Sequence, residues 1–385
     1  MTPHVLQILR GFEDDGPGRL ALGVVKNLDP AEARVSVVAL AADGPLRAAF
    51  EREAARHGGT TAALPTGWLG VRAAGRRIAE LARAQGATHL HAHLLRADAV
   101  GRVARDQLPG LPYFVTEHAL HGWGERGPLL RPLVRRWYVR SLDERSTIVA
   151  ISRWEARALE AEGVPGARIR TVLNGVDLGM SRIAPEAERS AARRALGIPD
   201  GAGPVLLTLG VLTRRKSPET TLRAVAALRS AGMPAWALLA GTGPRAEELR
   251  AVADSLGLRE GATLAGYLPD PAQAVAAADV LMHPAVEEPY GLVVAEALAS
   301  GLPVVARAGT GASELLPPAP DSETVAGEAP GDWAAASRRL ADAVAADRAG
   351  IGARCRAHAE ATADLRRCAG EYLALYSEAA SASRA

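Results

Sequence analysis

Short apolar runs recur along the chain, and most are followed by a longer stretch whose apolar residues return every three or four positions. Runs of four to eight β-branched or aliphatic residues predict strands, and the periodic stretches predict helices. His4–Leu9 and Arg34–Leu40 predict strands, with helices over Arg19–Leu28 and Leu46–His57. Ala87–His93, Tyr113–Thr116, Thr147–Ile151 and Ile169–Leu173 predict later strands. Strands alternating with helices of 10–15 residues imply a parallel, doubly wound sheet.

The rhythm breaks at Ser181–Gly203, a polar, Ala/Arg-rich stretch that runs into Gly203-Pro204 and predicts a domain boundary. A second series follows, with strands at Val205–Leu209, Ala235–Ala240, Thr263–Gly266, Asp279–His283 and Pro303–Arg307. Ser217-Pro218 reads as an N-cap and first-turn pair for a helix that stops at Gly232, and Pro244–Leu256 as the next helix. A last helix is expected at about Ala361–Ser377, with Tyr372 and Tyr376 in its core contacts. The expected division is a first domain over 1–190, a second over 200–358, and a helix and tail over 359–385 that pack back toward the first domain. Two such domains imply a cleft at the carboxyl ends of their strands.

Composition narrows the class. The 385 residues exceed one ordinary core, and 48% hydrophobic with 23% charged residues is a globular balance. No apolar stretch reaches the ~18–20 residues of a membrane helix, and Met1–Asp15 turns acidic too soon for a secretory signal. Cys355 and Cys368, thirteen residues apart without a CxxC, exclude a disulfide scaffold or zinc module and fit a reducing, cytoplasmic setting. Charge is uneven: residues 1–195 carry 28 Lys+Arg against 21 Asp+Glu, the remainder 17 against 22. No block is dense enough for nucleic acid. Arg126, Arg131, Arg135, Arg136 and Arg140 punctuate Leu129, Leu130, Leu133, Trp137, Tyr138 and Val139. That pattern over 126–140 fits either a helix lying peripherally on an anionic inner membrane face or a half-buried helix with snorkelling arginines. Only Lys26 and Lys216 are lysines.

The strongest chemical signal is Glu288-Pro289-Tyr290-Gly291-Leu292-Val293-Val294-Ala295-Glu296, set between a strand and a helix. Gly291 permits a tight turn, after which the N–H groups of Gly291, Leu292 and Val293 open a helix and suit a diphosphate. Glu288 can reach sugar hydroxyls from the preceding loop. Glu296 lies inside an otherwise apolar helix, where ribose hydroxyls would partner it. The alternation His89-x-His91-x-His93 marks one face of a strand, and no nearby carboxylate or cysteine completes a metal set.

Together these residues resemble the retaining glycosyltransferases of family four, which have the two-domain GT-B fold. The E-x7-E signature of that family appears as Glu288 to Glu296, followed by Ala299, Gly301, Pro303, Val304 and Val305. Ala240-Gly241-Thr242-Gly243-Pro244-Arg245 is similar to its G-x-G-P loop, and Ala265-Gly266-Tyr267-Leu268 to its base-contacting strand end. Ala150-Ile151-Ser152, Asn174-Gly175-Val176-Asp177, Thr116-Glu117-His118 and Gly16-Pro17-Gly18 match first-domain landmarks. The resemblance implies that Glu288 contacts the donor sugar, Glu296 the ribose, and Gly291 to Val293 the distal phosphate, with Tyr290 also at the donor. It implies donor contacts at Gly16, Gly18, Gly243, Tyr267 and Leu268, and places His118 at the reacting centre. The family pairs an arginine with a lysine to neutralise the leaving diphosphate. Here Lys216 is present, but Val211 replaces the arginine, and Arg214 or Arg215 is expected to take its part.

The implied activity is metal-independent, cofactor-free transfer of a sugar from a nucleoside diphosphate donor to an acceptor hydroxyl of a small or lipid-linked molecule. A same-fold nucleotide-sugar epimerase or sugar phosphorylase, and a noncatalytic sugar-nucleotide binder, are the alternatives. Gly241-x-Gly243-x-x-Ala246 imitates a dinucleotide fingerprint, but Asp270 comes too late to serve as its ribose acid. A hydrolase with paired carboxylates is disfavoured, since Glu288 and Glu296 share one loop and helix.

Overall fold

The computed structural model describes residues 2–118 and 145–382, so the basic segment 126–140 lies outside the described residues. The chain divides into two units, one of residues 1–176 with 365–385, the other of Asp177–Asp364.

The first unit is built on strands β1 (His4–Leu9), β2 (Arg34–Ala39), β3 (Thr61–Ala63), β4 (His89–His93), β5 (Tyr113–Glu117), β6 (Thr147–Ala150) and β7 (Ile169–Thr171). All pair in parallel, in the order β3-β2-β1-β4-β5-β6-β7. Helices α1 (Gly16–Asn27), α2 (Arg47–Arg56), α3 (Val71–Gln85), α4 (Leu94–Asp106) and α5 (Arg153–Ala161) connect them. Strands buried on both faces produce two apolar cores. One holds Ile8, Leu90 and Val115 against Ile78 and Val100; the other holds Val5, Val37 and Phe114 against Leu20 and Val24. The short edge strand β3 escaped the periodicity reading because three half-buried residues leave no pattern.

The second unit carries α6 (Glu186–Ala195), β8 (Val205–Leu209), α7 (Glu219–Ser230), β9 (Trp236–Ala240), α8 (Ala246–Ser255), β10 (Ala262–Gly266), α9 (Ala272–Ala277), β11 (Val280–His283), α10 (Leu292–Ala299), β12 (Val304–Arg307), β13 (Ser322–Val325) and α11 (Pro330–Thr362). Its sheet is again parallel, ordered β10-β9-β8-β11-β12-β13. Two doubly wound α/β units in one chain are the architecture the alternation predicts.

The division falls earlier than the polar stretch suggests. Helix α6, inside that stretch, is bound into the second unit: Arg189 donates to Asp279 at 3.0 Å and to the carbonyls of Ala276 and Ala278 at 2.8 and 2.7 Å. Arg193 donates to the other Asp279 oxygen at 2.6 Å, which also accepts from Val205 N–H. Charged residues here are anchors, not a solvated linker.

Two further expectations change. Ser217 does not cap α7; it sits at φ 47° after a 3-10 turn, and Pro218 occupies the cap position. The last helix begins at Leu365, and what precedes it is α11, broken at Asp347, whose side chain accepts from Gly350 N–H at 2.9 Å to restart the helix. The final helix, α12 (Leu365–Ala382), buries Leu365, Cys368, Tyr372 and Tyr376 in the first unit's core. Cys355 and Cys368 are both free and buried, one in each unit. Among the described residues no helix is long and apolar enough to cross a membrane.

Candidate functional site

In the second unit the strand order reverses between β8 and β11, which pair directly, Leu206 with Val280 and Leu207 with Leu281. At such a switch point the loops leaving the carboxyl ends of the two strands diverge and leave a crevice for ligands. Here the two loops are also tied together. Val286 N–H donates to the Arg215 carbonyl at 2.9 Å, and the Arg215 guanidinium donates to the Glu287 carbonyl at 2.6 Å.

The tie brings the basic residues of one loop onto the acid of the other. Lys216 Nζ donates to Glu288 Oε2, His283 Nε2 lies 3.1 Å from the same oxygen, and Arg215 Nη1 lies 4.0 Å away. Glu288 is only 7% exposed. Burial would raise its carboxyl, but Lys216 and His283 outweigh that and hold it far below the usual carboxylate range. It is therefore a fixed anion at neutral pH. Burial in turn lowers His283, with the Glu288 bond opposing it.

Beyond Glu288 the backbone is locked. Gly311 N–H donates to the Glu288 carbonyl at 2.8 Å, so closely that a Cβ on Gly311 would fall 1.9 Å from the Pro289 carbonyl oxygen. Gly291 has φ +92°, and a Cβ there would meet Ala312 Cβ at 2.9 Å. Only glycine fits on both counts. Its carbonyl accepts from Val294 and Ala295, leaving the N–H groups of Leu292 and Val293 without an intrahelical acceptor at the start of α10. Tyr290 is buried, and Glu296 is half-buried one turn further along α10.

The remaining second-unit candidates sit on neighbouring strand ends. Gly243 packs on the loop after β8, where a Cβ would lie 2.4 Å from the Leu212 carbonyl oxygen. Gly241 N–H donates to the Gly266 carbonyl at 2.7 Å, which holds the turn carrying Tyr267 (71% exposed) and half-buried Leu268. Direct contacts join Lys216, Arg215 and Glu288; Arg214 is exposed, and its field acts on Glu248 instead. Val211 is exposed. His283 was missed in the sequence, although its place at a strand end five residues before Glu288 was a usable signal.

In the first unit Gly16 opens α1 rather than preceding it, and Asp15 caps the helix by accepting from Gly18 N–H at 2.9 Å. A Cβ on Gly18 would lie 2.2 Å from the Glu13 carbonyl oxygen. His118, just past β5, is buried with Nε2 3.1 Å from His93 Nδ1. His93 Nε2 lies 2.7 Å from Gln7 Oε1. His89, His91 and His93 are all buried, and among the described residues no cluster of histidine, cysteine or acidic side chains is arranged to hold a metal.

Two parallel α/β units, with a basic loop and a glycine-opened helix at a switch point, define the GT-B class. Solved structures agree on the fold. An Anabaena protein, HepE, crystallised with UDP and glucose, superposes with a TM-score of 0.77 at 20% identity, covering 97% of this chain and 99% of that one. Sucrose-phosphate synthase from Thermosynechococcus elongatus gives 0.77 at 21% identity, over 99% of this chain and all of that one, 100%. Residues 15–179 match the family model described as Glycosyltransferase Family 4, and residues 203–343 the one described as Glycosyl transferases group 1. The chain belongs to this family-four, group 1 glycosyltransferase family. A D-inositol 3-phosphate glycosyltransferase of Mycobacterium tuberculosis is 32% identical over 315 residues, 74% of this chain and 62% of that protein. This chain thus spans under two thirds of the length of the curated relatives it matches.

Proposed function

We propose that the protein transfers a sugar from a nucleoside diphosphate donor to an acceptor hydroxyl with retention of anomeric configuration. The observation that carries this is the pairing of Lys216 and Arg215 with Glu288 beside the opening of α10. A departing diphosphate needs positive charge, which Lys216, Arg215 and the first N–H groups of α10 supply without a metal. Glu288, held as an anion, accepts from donor-sugar hydroxyls, and Glu296 accepts from the ribose. Gly243, Tyr267 and Leu268 contact the nucleoside, and Gly16 and Gly18 let backbone approach the diphosphate. His118 faces the anomeric carbon and stabilises its positive charge. The bond from that carbon to phosphate oxygen breaks as the acceptor oxygen bonds on the same face, and the departing phosphate takes the acceptor proton.

The HepE complex with UDP-glucose and the inositol phosphate relative support a nucleotide-sugar donor and make a cyclitol phosphate a first acceptor to try. Calorimetry against UDP, GDP, ADP, dTDP and NAD without metal, for wild type and Glu296→Ala, is the test. One nucleoside diphosphate should bind, NAD should not, and Glu296→Ala should weaken binding. Equal binding by the variant, or none without metal, would overturn the assignment and favour a different activity.

A further inference from the structure

A buried hydrogen-bond chain lies behind His118, across β1, β4, β5 and α12. Its direction can be worked out from the one member whose two ends have fixed roles, the amide of Gln7. Gln7 Oε1 only accepts, so His93 donates to it from Nε2 at 2.7 Å. A neutral imidazole carries one N–H, so His93 Nδ1 accepts, and His118 donates to it from Nε2 at 3.1 Å. On the other side Gln7 Nε2 only donates, to the Tyr376 hydroxyl at 3.3 Å. The Tyr376 hydroxyl donates to His91 Nδ1 at 2.6 Å, His91 Nε2–H donates to Thr116 Oγ1 at 2.7 Å, and Thr116 donates to the Tyr372 hydroxyl at 3.1 Å.

Burial keeps the histidines neutral, with His93 pushed down to about 3 and His91 and His118 also well below their ordinary value. Each link is single-file, so one member cannot reverse unless its neighbours do. The chain therefore has two self-consistent directions, and the Gln7 amide selects between them. The Tyr376 hydroxyl joins the Gln7 amide to His91, so Phe at 376 would keep the volume and cut the chain at that link.

We propose that this chain fixes the tautomer of His118, with the proton on Nε2 and a lone pair on Nδ1, and that Gln7 and Tyr376 are positioning residues acting through His93. The inference rests on the reading that His118 faces the reacting sugar. There the Nδ1 lone pair favours developing positive charge, and the opposite tautomer would present an N–H that opposes it.

Nitrogen-15 NMR of histidine-labelled full-length protein reports which ring nitrogen of each imidazole is protonated, and His118→Gln assigns the signal. Wild type should show His118 protonated at Nε2. Tyr376→Phe frees the Gln7 amide to turn, so the His118 signal should move toward the Nδ1–H form, with kcat down about tenfold and donor KM changed less than about twofold. Tyr372→Phe, which removes a hydroxyl from the same helix beyond the Gln7–Tyr376–His91 links, should keep the wild-type tautomer. Gln7→Met provides a second break, next to His93. Unchanged His118 protonation in both Tyr376→Phe and Gln7→Met would overturn the proposal. A shifted tautomer with unchanged kcat would uphold the chain and instead remove His118 from the reacting centre.

Discussion

Lys216 and Glu288 are bonded across 72 residues of sequence, and the carboxylate oxygen they share also lies against His283. The pair is mostly shielded from water, and without Lys216 the carboxylate keeps only His283 and the more distant Arg215. Lys216→Ala should lower the unfolding free energy by about 3 kcal/mol, read by chemical denaturation, because Glu288 is left buried as an under-compensated anion. Lys216→Arg should recover most of the stability while restoring less turnover, since a planar guanidinium cannot reproduce a point charge at the same place.

Glu288→Gln keeps the shape and removes the charge. Turnover should fall by about 10²–10³-fold while affinity for the bare nucleoside diphosphate changes little, because in the proposed reaction the lost contact is to the sugar. Steady-state kinetics beside calorimetry with the diphosphate separate the two.

Arg215, anchored on the Glu287 carbonyl, and Arg214, exposed, make opposite predictions. Arg215→Ala should lower kcat/KM about tenfold or more, and Arg214→Ala should stay within about twofold. Unchanged turnover in Arg215→Ala would leave the substitution of Val211 for an arginine uncompensated.

Gly291→Ala forces a side chain into the left-handed region and onto Ala312. The backbone term alone is about 1–2 kcal/mol, and relief requires shifting the start of α10. Nucleoside diphosphate binding should weaken by at least tenfold in calorimetry, with only a small drop in melting temperature.

The buried histidines give stability a pH dependence whose sign is fixed. Each is neutral in the folded state and protonates in the unfolded state from its ordinary 6.5, so the unfolded chain binds more protons as pH falls. Stability is full above about 6.5 and drains toward about 4 for His89 and about 3 for His93. Denaturation curves between pH 6.5 and 4.5 should fall by up to about 1.4 kcal/mol per pH unit for each such histidine. His89→Phe, placed against Phe114, should flatten the slope by about one proton.

Much of this was legible in the chain because parallel strands, buried on both faces, write themselves as short apolar runs. Glu288, Gly291 and Lys216 were picked out for a different reason: Glu288 and Gly291 stand in the turn that opens a helix, and Lys216, one of two lysines, falls where the family resemblance places a cation. Gln7 was not, because a single polar residue within an apolar strand looks like noise until its partner is known, and His283 was passed over although its place at a strand end shortly before Glu288 marked it. Gln7 finds its partner 369 residues away in Tyr376. The Ser217 cap failed because the preceding 3-10 turn, which no periodicity signals, took the serine for its own exit. The unit boundary failed because arginines on α6 read as solvent-facing when three of their acceptors are the carbonyls that end α9.

The first unit is discontinuous: residues 2–176 cover one face of their sheet only in part, with α1 and α2, and the rest of that face is covered by α12, which follows the whole of the second unit in the chain. On a ribosome, therefore, the unit that starts first finishes last. For the time needed to make some 188 intervening residues, Asp177–Asp364, the apolar face around Val5, Val37 and Phe114 lacks Tyr372 and Tyr376. Nascent chains stalled before Leu365 should bind holdase chaperones through that face, and release should coincide with emergence of the last helix.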